Sequence, residues 1–213
     1  MTRQSASWRW PLGLSLSCAA CICLCSLLIL LASCGGKTRD PVDQSQIPAT
    51  KPAPARSKDQ VHWTYEPKAL ELIIHSDPEL NSHHGFAHAT TVCIYQLTRP
   101  GPFQTKAAKQ SGLKELLECN ASGESVVQAQ RLFIQPGHNK TMHFARAEKA
   151  RHVGLVAGYF QLRPDKVTRL YHIPLQNKKS GTLWWSKDNY TPGKLTMQVL
   201  LGPHSIQSVG ERE

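Results

Sequence analysis

His83, His84 and His88 fall within six positions in the stretch NSHHGFAH, residues 81–88. Imidazole is the commonest metal ligand among side chains, and Asp77 or Glu79 stands close enough in sequence to supply a fourth ligand to zinc. Successive side chains of an extended strand point to opposite sides, so His83 and His84 reach one ion only where the chain turns sharply between them. Contact residues on a displayed loop are therefore the expectation for these rings, with no metal or cofactor assigned; an envelope metalloenzyme built on them is the rival reading. Other chemistry is scarce. G-x-S-x-G, H-E-x-x-H and a Gly-rich phosphate loop are all missing from the sequence, and the 15 acids lie mainly in linker, helix and turn segments. No catalytic residue is assigned.

One thiol has a clearer chemical role. Arg3 and Arg9 precede an apolar run from Leu12 to Ala32, which ends in LASC, residues 31–34. Basic start, apolar run and small residues form the pattern of a secretory signal peptide, and LASC resembles a bacterial lipobox. On this reading residues 1–33 are removed and Cys34 becomes the acylated first residue. Each acyl methylene adds about 0.8 kcal/mol of membrane affinity, so two or three chains hold a protein without a spanning helix. An uncleaved spanning anchor is the alternative, because the run is nearly long enough to cross a bilayer. In the lipoproteins that this resembles, Asp after the cysteine retains the protein at the inner membrane; Gly35 favours the outer membrane.

Removing residues 1–33 also removes Cys18, Cys21, Cys23 and Cys25, which serve there as small apolar residues. Cys93 and Cys119 remain, either as a disulfide permitted by an oxidising periplasm or as two buried thiols. The whole chain carries a formal charge of +10, and 23 basic residues against 15 acids remain beyond residue 33. Such a surface suits anionic headgroups or an acidic partner. No helix-turn-helix, zinc-finger or RNP pattern directs it to nucleic acid.

These residues must be positioned by the elements around them. From Gly35 to about Gln60 the composition is rich in Pro, Ala and charge, without periodicity, which is the mark of a disordered tether. Stretched, about 25 residues reach roughly 80 Å. The domain boundaries expected are 1–33 for the signal peptide, 34–62 for the lipidated tether and 63–213 for one β-sandwich domain. Within that domain, Leu70, Leu72 and Ile74 alternate with Ala69, Glu71 and His75, and TTVCIYQL (90–97) forms a more continuously apolar strand. Further strands are expected in VVQAQRLFIQ before the PGHN turn, in TMHF, in VGLVAGYFQL (153–162), buried on both faces, and in VTRLYHI and KLTMQVLL. Leu113, Leu116 and Leu117 fall at helical spacing, predicting one short amphipathic helix between Phe103 and Cys119, with Ser111 and Gly112 as interruptions near its start. A weaker helical turn is expected around Arg146–Arg151. Strands at this spacing predict a mainly β, two-sheet sandwich with a short helical insertion.

Trp184 and Trp185 are expected to place one ring in the core and the other over a sandwich end, with a sugar- or peptide-binding surface as the functional alternative. Sequons at Asn120, Asn139 and Asn189 carry no expectation of glycan in a bacterial lipoprotein, whereas in a eukaryotic secreted protein they would.

ELN (79–81), Gly85, VCIYQL (92–97), Phe103 ahead of a helix, IQPG (134–137), VGLVAGYF (153–160) and VTRLYHI occur in an order and spacing that resembles the TssJ (SciN, VasD) family, the outer-membrane lipoprotein of the type VI secretion system. The similarity runs from about Leu70 to Ile173. It implies a transthyretin-like sandwich without enzymatic activity, anchored in the outer membrane and facing the periplasm, that binds the periplasmic C-terminal domain of TssM. It also implies that the loop joining the first two strands makes that contact, here Glu79, Leu80, Asn81, Ser82, His83, His84 and Gly85, with Leu80 as an exposed anchor between polar neighbours. Cys93 and the histidine-rich loop depart from the family pattern. The alternative is a periplasmic carrier or pilotin that holds a small ligand or an exported subunit in the same fold.

Overall fold

The computed structural model describes residues 53–182 and 184–207, which lie in the unit formed by residues 44–213. The signal-like run, Cys34 and the beginning of the tether lie outside the described residues.

Alternation builds the first sheet. In β1 (Glu66–Ser76), Leu70, Leu72 and Ile74 are fully buried while His75 faces water. This strand is central in the order β10-β9-β1-β4, antiparallel to β4 (Lys140–Arg146) and parallel to β9 (Leu195–Leu201), with β10 (Ile206–Gln207) closing the far edge. Leu72 pairs with Met142 on one side and Met197 on the other. The second sheet runs β3-β2-β5-β6, all antiparallel, from β2 (Thr90–Leu97), β3 (Val126–Ile134), β5 (His152–Ala157) and β6 (Thr168–His172). Side chains of β1 and β9 share one core cluster with Val92, Ile94, Val153 and Leu155 of the second sheet. Each fully buried leucine there contributes about 2 kcal/mol of transfer free energy. The two-sheet sandwich expected from the pattern is the fold observed.

Why β2 and β5 are buried on both faces follows from what covers each. Gln96 points toward the first sheet, where its Nε2 donates to the Ala145 carbonyl at 2.9 Å and its Oε1 accepts from the Ala147 amide at 2.7 Å. Tyr95 points the other way, onto α1 (Gly101–Ala107) and α2 (Gln110–Leu116). Its ring lies 6.0 Å from that of Phe103, and its hydroxyl donates to the Leu116 carbonyl. Burial pushes that hydroxyl's pKa up to about 12. Cys93, on the same face, is disulfide-bonded to Cys119 just beyond α2, with Cα atoms 5.3 Å apart. Gly154 sits opposite Tyr95, and a Cβ there would come within 2.7 Å of the Phe103 ring.

Several elements differ from the sequence expectation. The helical insertion is two helices, not one, and the break falls at Ala108–Lys109, not at Ser111 or Gly112. Gly112 is what lets the second helix begin so close to the first: a Cβ would lie 2.2 Å from the Lys106 carbonyl oxygen. The strand read as residues 153–162 ends at Ala157, followed by bends and the single turn α3 (Pro164–Val167). The helical turn expected near Arg146–Arg151 is a tight turn at 148–149, with Lys149 in the left-handed region at φ 67°. A separate antiparallel ribbon, β7 (Leu175–Ser180) with β8 (Lys187–Pro192), was not anticipated. Its strands carry almost no apolar alternation, since only Leu175 and Tyr190 supply apolar contacts to the core and most other side chains face water or are half-buried. Ordered packing also starts upstream of Gln60. Ala55 is buried and exchanges two backbone hydrogen bonds with Tyr190 of β8, at 2.8 and 3.0 Å, and Val61 and Trp63 join the core.

Candidate functional site

The loop from Asp77 to Ala89, between β1 and β2, is held from several sides before it reaches solvent. The Asp77 amide donates to the Leu201 carbonyl (2.9 Å) and the Ser82 amide to the Pro203 carbonyl (2.8 Å), which latches the loop to β9 and the turn after it. On the other side the Gly137 amide donates to the Asp77 carbonyl at 3.1 Å. The Asp77 side chain accepts from the Glu79 amide at 2.7 Å, a local turn that Asp forms readily.

Leu80 and Asn81 are interior supports, which corrects the sequence reading. Leu80 is fully buried in the core cluster, and its amide and carbonyl are used by Asp77 and His88. Asn81, at φ 50°, takes the left-handed conformation that Asn tolerates. Its Oδ1 accepts from the Phe160 amide at 2.9 Å, tying the loop to the segment after β5. Flanking polar residues suggest exposure for Leu80; its place in the core cluster, in a loop bonded to Leu201 and Pro203 far downstream, decides otherwise.

Beyond Asn81 the chain makes a sharp turn, the condition under which His83 and His84 could have reached one ion. His83 and Phe86 exchange amide–carbonyl bonds of 2.9 and 3.1 Å, with His84 (φ 51°) and Gly85 (φ 80°) as the two central residues. A two-residue hairpin of this kind needs positive φ at both positions. A Cβ on Gly85 would meet nothing within 4 Å, so glycine serves conformation there and not space. Held this way, the rings stack on one another. His83 lies parallel to Phe160 with centroids 4.3 Å apart, His84 sits edge-on to His83 at 4.0 Å, and His88 meets Phe160 edge-on at 4.9 Å. Among the described residues, no three His, Cys, Asp or Glu side chains converge as a metal-binding set.

What the loop offers to solvent is aromatic. Phe86 at the tip is 71% exposed and Phe160 beneath His83 is 53% exposed, with Glu79, His83, His84 and Gly85 exposed around them and Ser82 partly so. Two exposed aromatic rings on one braced loop region make it a candidate contact surface. Phe86 and Phe160 were both missed from sequence. Phe86 carried a local signal, since it directly follows a His-Gly turn; Phe160 carried none, because its neighbours had been read as a buried strand.

No curated protein matches this chain in sequence. Among solved structures, it is similar to the T6SS lipoprotein TssJ1 from Pseudomonas aeruginosa, with 20% identity over 68% of this chain and 93% of that one and a TM-score of 0.49. It is similar also to Serratia marcescens Lip, described as a membrane-bound component of the type VI secretion system, with 20% identity over 67% of this chain and 97% of that one and a TM-score of 0.49. Residues 68–203 match the family described as type VI secretion lipoprotein, VasD, EvfM, TssJ, and the chain belongs to that family.

Proposed function

We propose that this chain is a non-enzymatic outer-membrane component of type VI secretion, lipidated on Cys34 and facing the periplasm, that holds the periplasmic C-terminal domain of TssM through the β1–β2 loop. The observation that carries the contact is the braced tip: a tight turn fixed at both ends that leaves Phe86 and Phe160 in water. A few aromatic anchors in a polar rim supply most of the affinity in interfaces of this kind. Pre-organisation by Asn81, Ser82 and Asp77 reduces the entropy lost on docking.

The carrier alternative finds less support. One cavity, lined by Tyr95, Phe103, Lys106, Glu115 and Leu116 among others, holds about 40 Å³. Small-molecule sites span roughly 300–1,000 Å³. A second space of about 350 Å³, against α1, α3 and β6, is an open groove lined in part by Gln104, Asp165, Thr168 and Arg169.

Binding of the detergent-solubilised, lipidated chain to the TssM periplasmic domain tests this reading. Wild type should bind at micromolar affinity or better, and Phe86→Asp should weaken it by about tenfold or more, the loss expected of a buried aromatic anchor. Absence of binding by wild type would remove the TssM assignment, whereas equal binding by the variant would move the contact away from this loop.

A further inference from the structure

The β7–β8 ribbon ends in two tryptophans that the core does not use. Trp184 and Trp185 are 86% and 78% exposed, the two most exposed of the large apolar side chains among the described residues. Their placement is built, not frayed. The Trp185 amide donates to the Thr182 carbonyl at 2.8 Å, and Gly181, at φ 115°, passes so close that a Cβ would lie 2.3 Å from the Trp185 carbonyl oxygen.

Behind the tryptophans the ribbon is basic. Lys178, Lys179 and Lys187 lie within the two strands and are exposed, and among the described residues none of them forms an ion pair. Asp188 is the one acid on these strands; it stands opposite Lys179 in register, and its carboxylate accepts from the Asn177 amide group at 2.9 Å. Indole rings with an apolar body and one N–H donor settle at the boundary between headgroups and acyl chains. Each lysine held near an anionic leaflet strengthens attachment about fivefold.

The route of the chain adds a third, independent observation. Ala55 pairs with Tyr190 on β8, Arg56 donates to the Asn189 side chain at 3.0 Å, and the Lys58 ammonium lies 6.0 Å from the Tyr190 ring centre. The polypeptide arriving from Cys34 thus joins the domain on this same ribbon, and 21 residues of chain can separate the two by at most about 75 Å. A lipid on Cys34 keeps this ribbon at high effective concentration beside the bilayer.

We propose that the β7–β8 hairpin is a second membrane contact, in which Trp184 and Trp185 enter the headgroup region of an anionic phospholipid leaflet and Lys178, Lys179 and Lys187 meet its phosphates. This rests on the reading of the chain as lipid-anchored. It makes the domain's orientation at the membrane a property of its fold as well as of its tether.

The test uses the lipidated chain in vesicles of phosphatidylethanolamine and phosphatidylglycerol, with brominated lipid as quencher and flotation as the control. Beyond residue 33 the only other tryptophan is Trp63, which is buried and adds a background shielded from both quenchers, so the quenchable part of the emission reports the pair. Bromolipid should quench it, the quenching should vanish in the W184S/W185S double variant, and K178E/K187E or omission of phosphatidylglycerol should reduce it about threefold or more. A chain that floats with the vesicles yet remains quenched by aqueous acrylamide and not by bromolipid would overturn the proposal and leave the anchor intact. Shielding that appears only on addition of the TssM domain would overturn it in favour of a protein surface. Failure to float would overturn both readings.

Discussion

Leu80 and Phe86 lie six residues apart in one loop and serve opposite purposes. Leu80 is closed off from water in the core, so truncation removes buried methylenes and leaves a cavity. Leu80→Ala should cost about 2–4 kcal/mol of unfolding free energy, read as a lowered urea midpoint at unchanged slope. Phe86→Ala, at an exposed tip, should shift stability by no more than about 0.5 kcal/mol while weakening partner binding. A stable Leu80→Ala protein with selectively lost binding would reverse these roles. In the sequence Phe86 is marked only by the His-Gly turn before it, and Leu80, between Glu79 and Asn81, carries no local sign of burial. What separates them is the pair of latches to Leu201 and Pro203, more than 100 residues downstream, which press one end of the loop into the sandwich and leave the other outside. The histidines read from sequence as contact residues at the tip of a hairpin loop, and His83 and His84 are exposed at such a tip. Their stacking on Phe160 was not legible, since that contact spans 77 residues of chain.

At the scale of elements, the strands that were readable are those for which burial imposes a pattern. β1 alternates because one face meets the core; β2 and β5 are buried along almost their whole length because helices cover the face that the first sheet does not. β7 and β8 escaped notice because LQNKKS and KDNYTP carry no regular apolar alternation, and the ribbon is defined by its pairing with itself and with Ala55. The cover on β2 is fixed covalently by Cys93–Cys119, closing a sequence separation of 26 residues that contains both helices. A closed loop of that size restrains the unfolded chain by about 3 kcal/mol. Cys93→Ala/Cys119→Ala should therefore lose about that much stability, and α1 and α2 should exchange their amide hydrogens faster than β1 does. Uniform acceleration across the domain, with no excess in the helices, would show that Tyr95, Phe103 and Leu116 hold the cover without help from the bond.

For the molecule as a whole, one buried cation joins parts of the chain that the sequence sets far apart. Arg146, at the end of β4, has no solvent exposure, and its guanidinium donates to the Thr64 carbonyl from Nε and Nη2 (3.2 and 3.1 Å) and to the Gly193 carbonyl from Nη1 (3.2 Å). Its Nη2 also meets the Glu66 carboxylate at 3.0 Å, and its centre lies 5.9 Å from the Trp63 ring. Burial lowers its pKa while Glu66 opposes that shift, and a guanidinium remains charged through such a contest. Because every arm of the fork has a partner, the desolvation cost is met by hydrogen bonds that also bind the incoming segment to β4 and to the β8–β9 connection. Removing one member of a buried pair costs about 3–5 kcal/mol, chiefly through the polar groups left behind. Glu66 is partly exposed and can rehydrate, which places Arg146→Ala near the lower end, at about 3 kcal/mol. The loss should not be uniform: Ala55 and Tyr190 should become early sites of proteolysis and hydrogen exchange, because the segment leading from Ala55 into β1 loses its fixed point at Thr64. Arg146→Lys should recover little, since one ammonium cannot span Thr64, Gly193 and Glu66 together. Full recovery by lysine would show that charge alone, and not the planar fork, holds these segments in place.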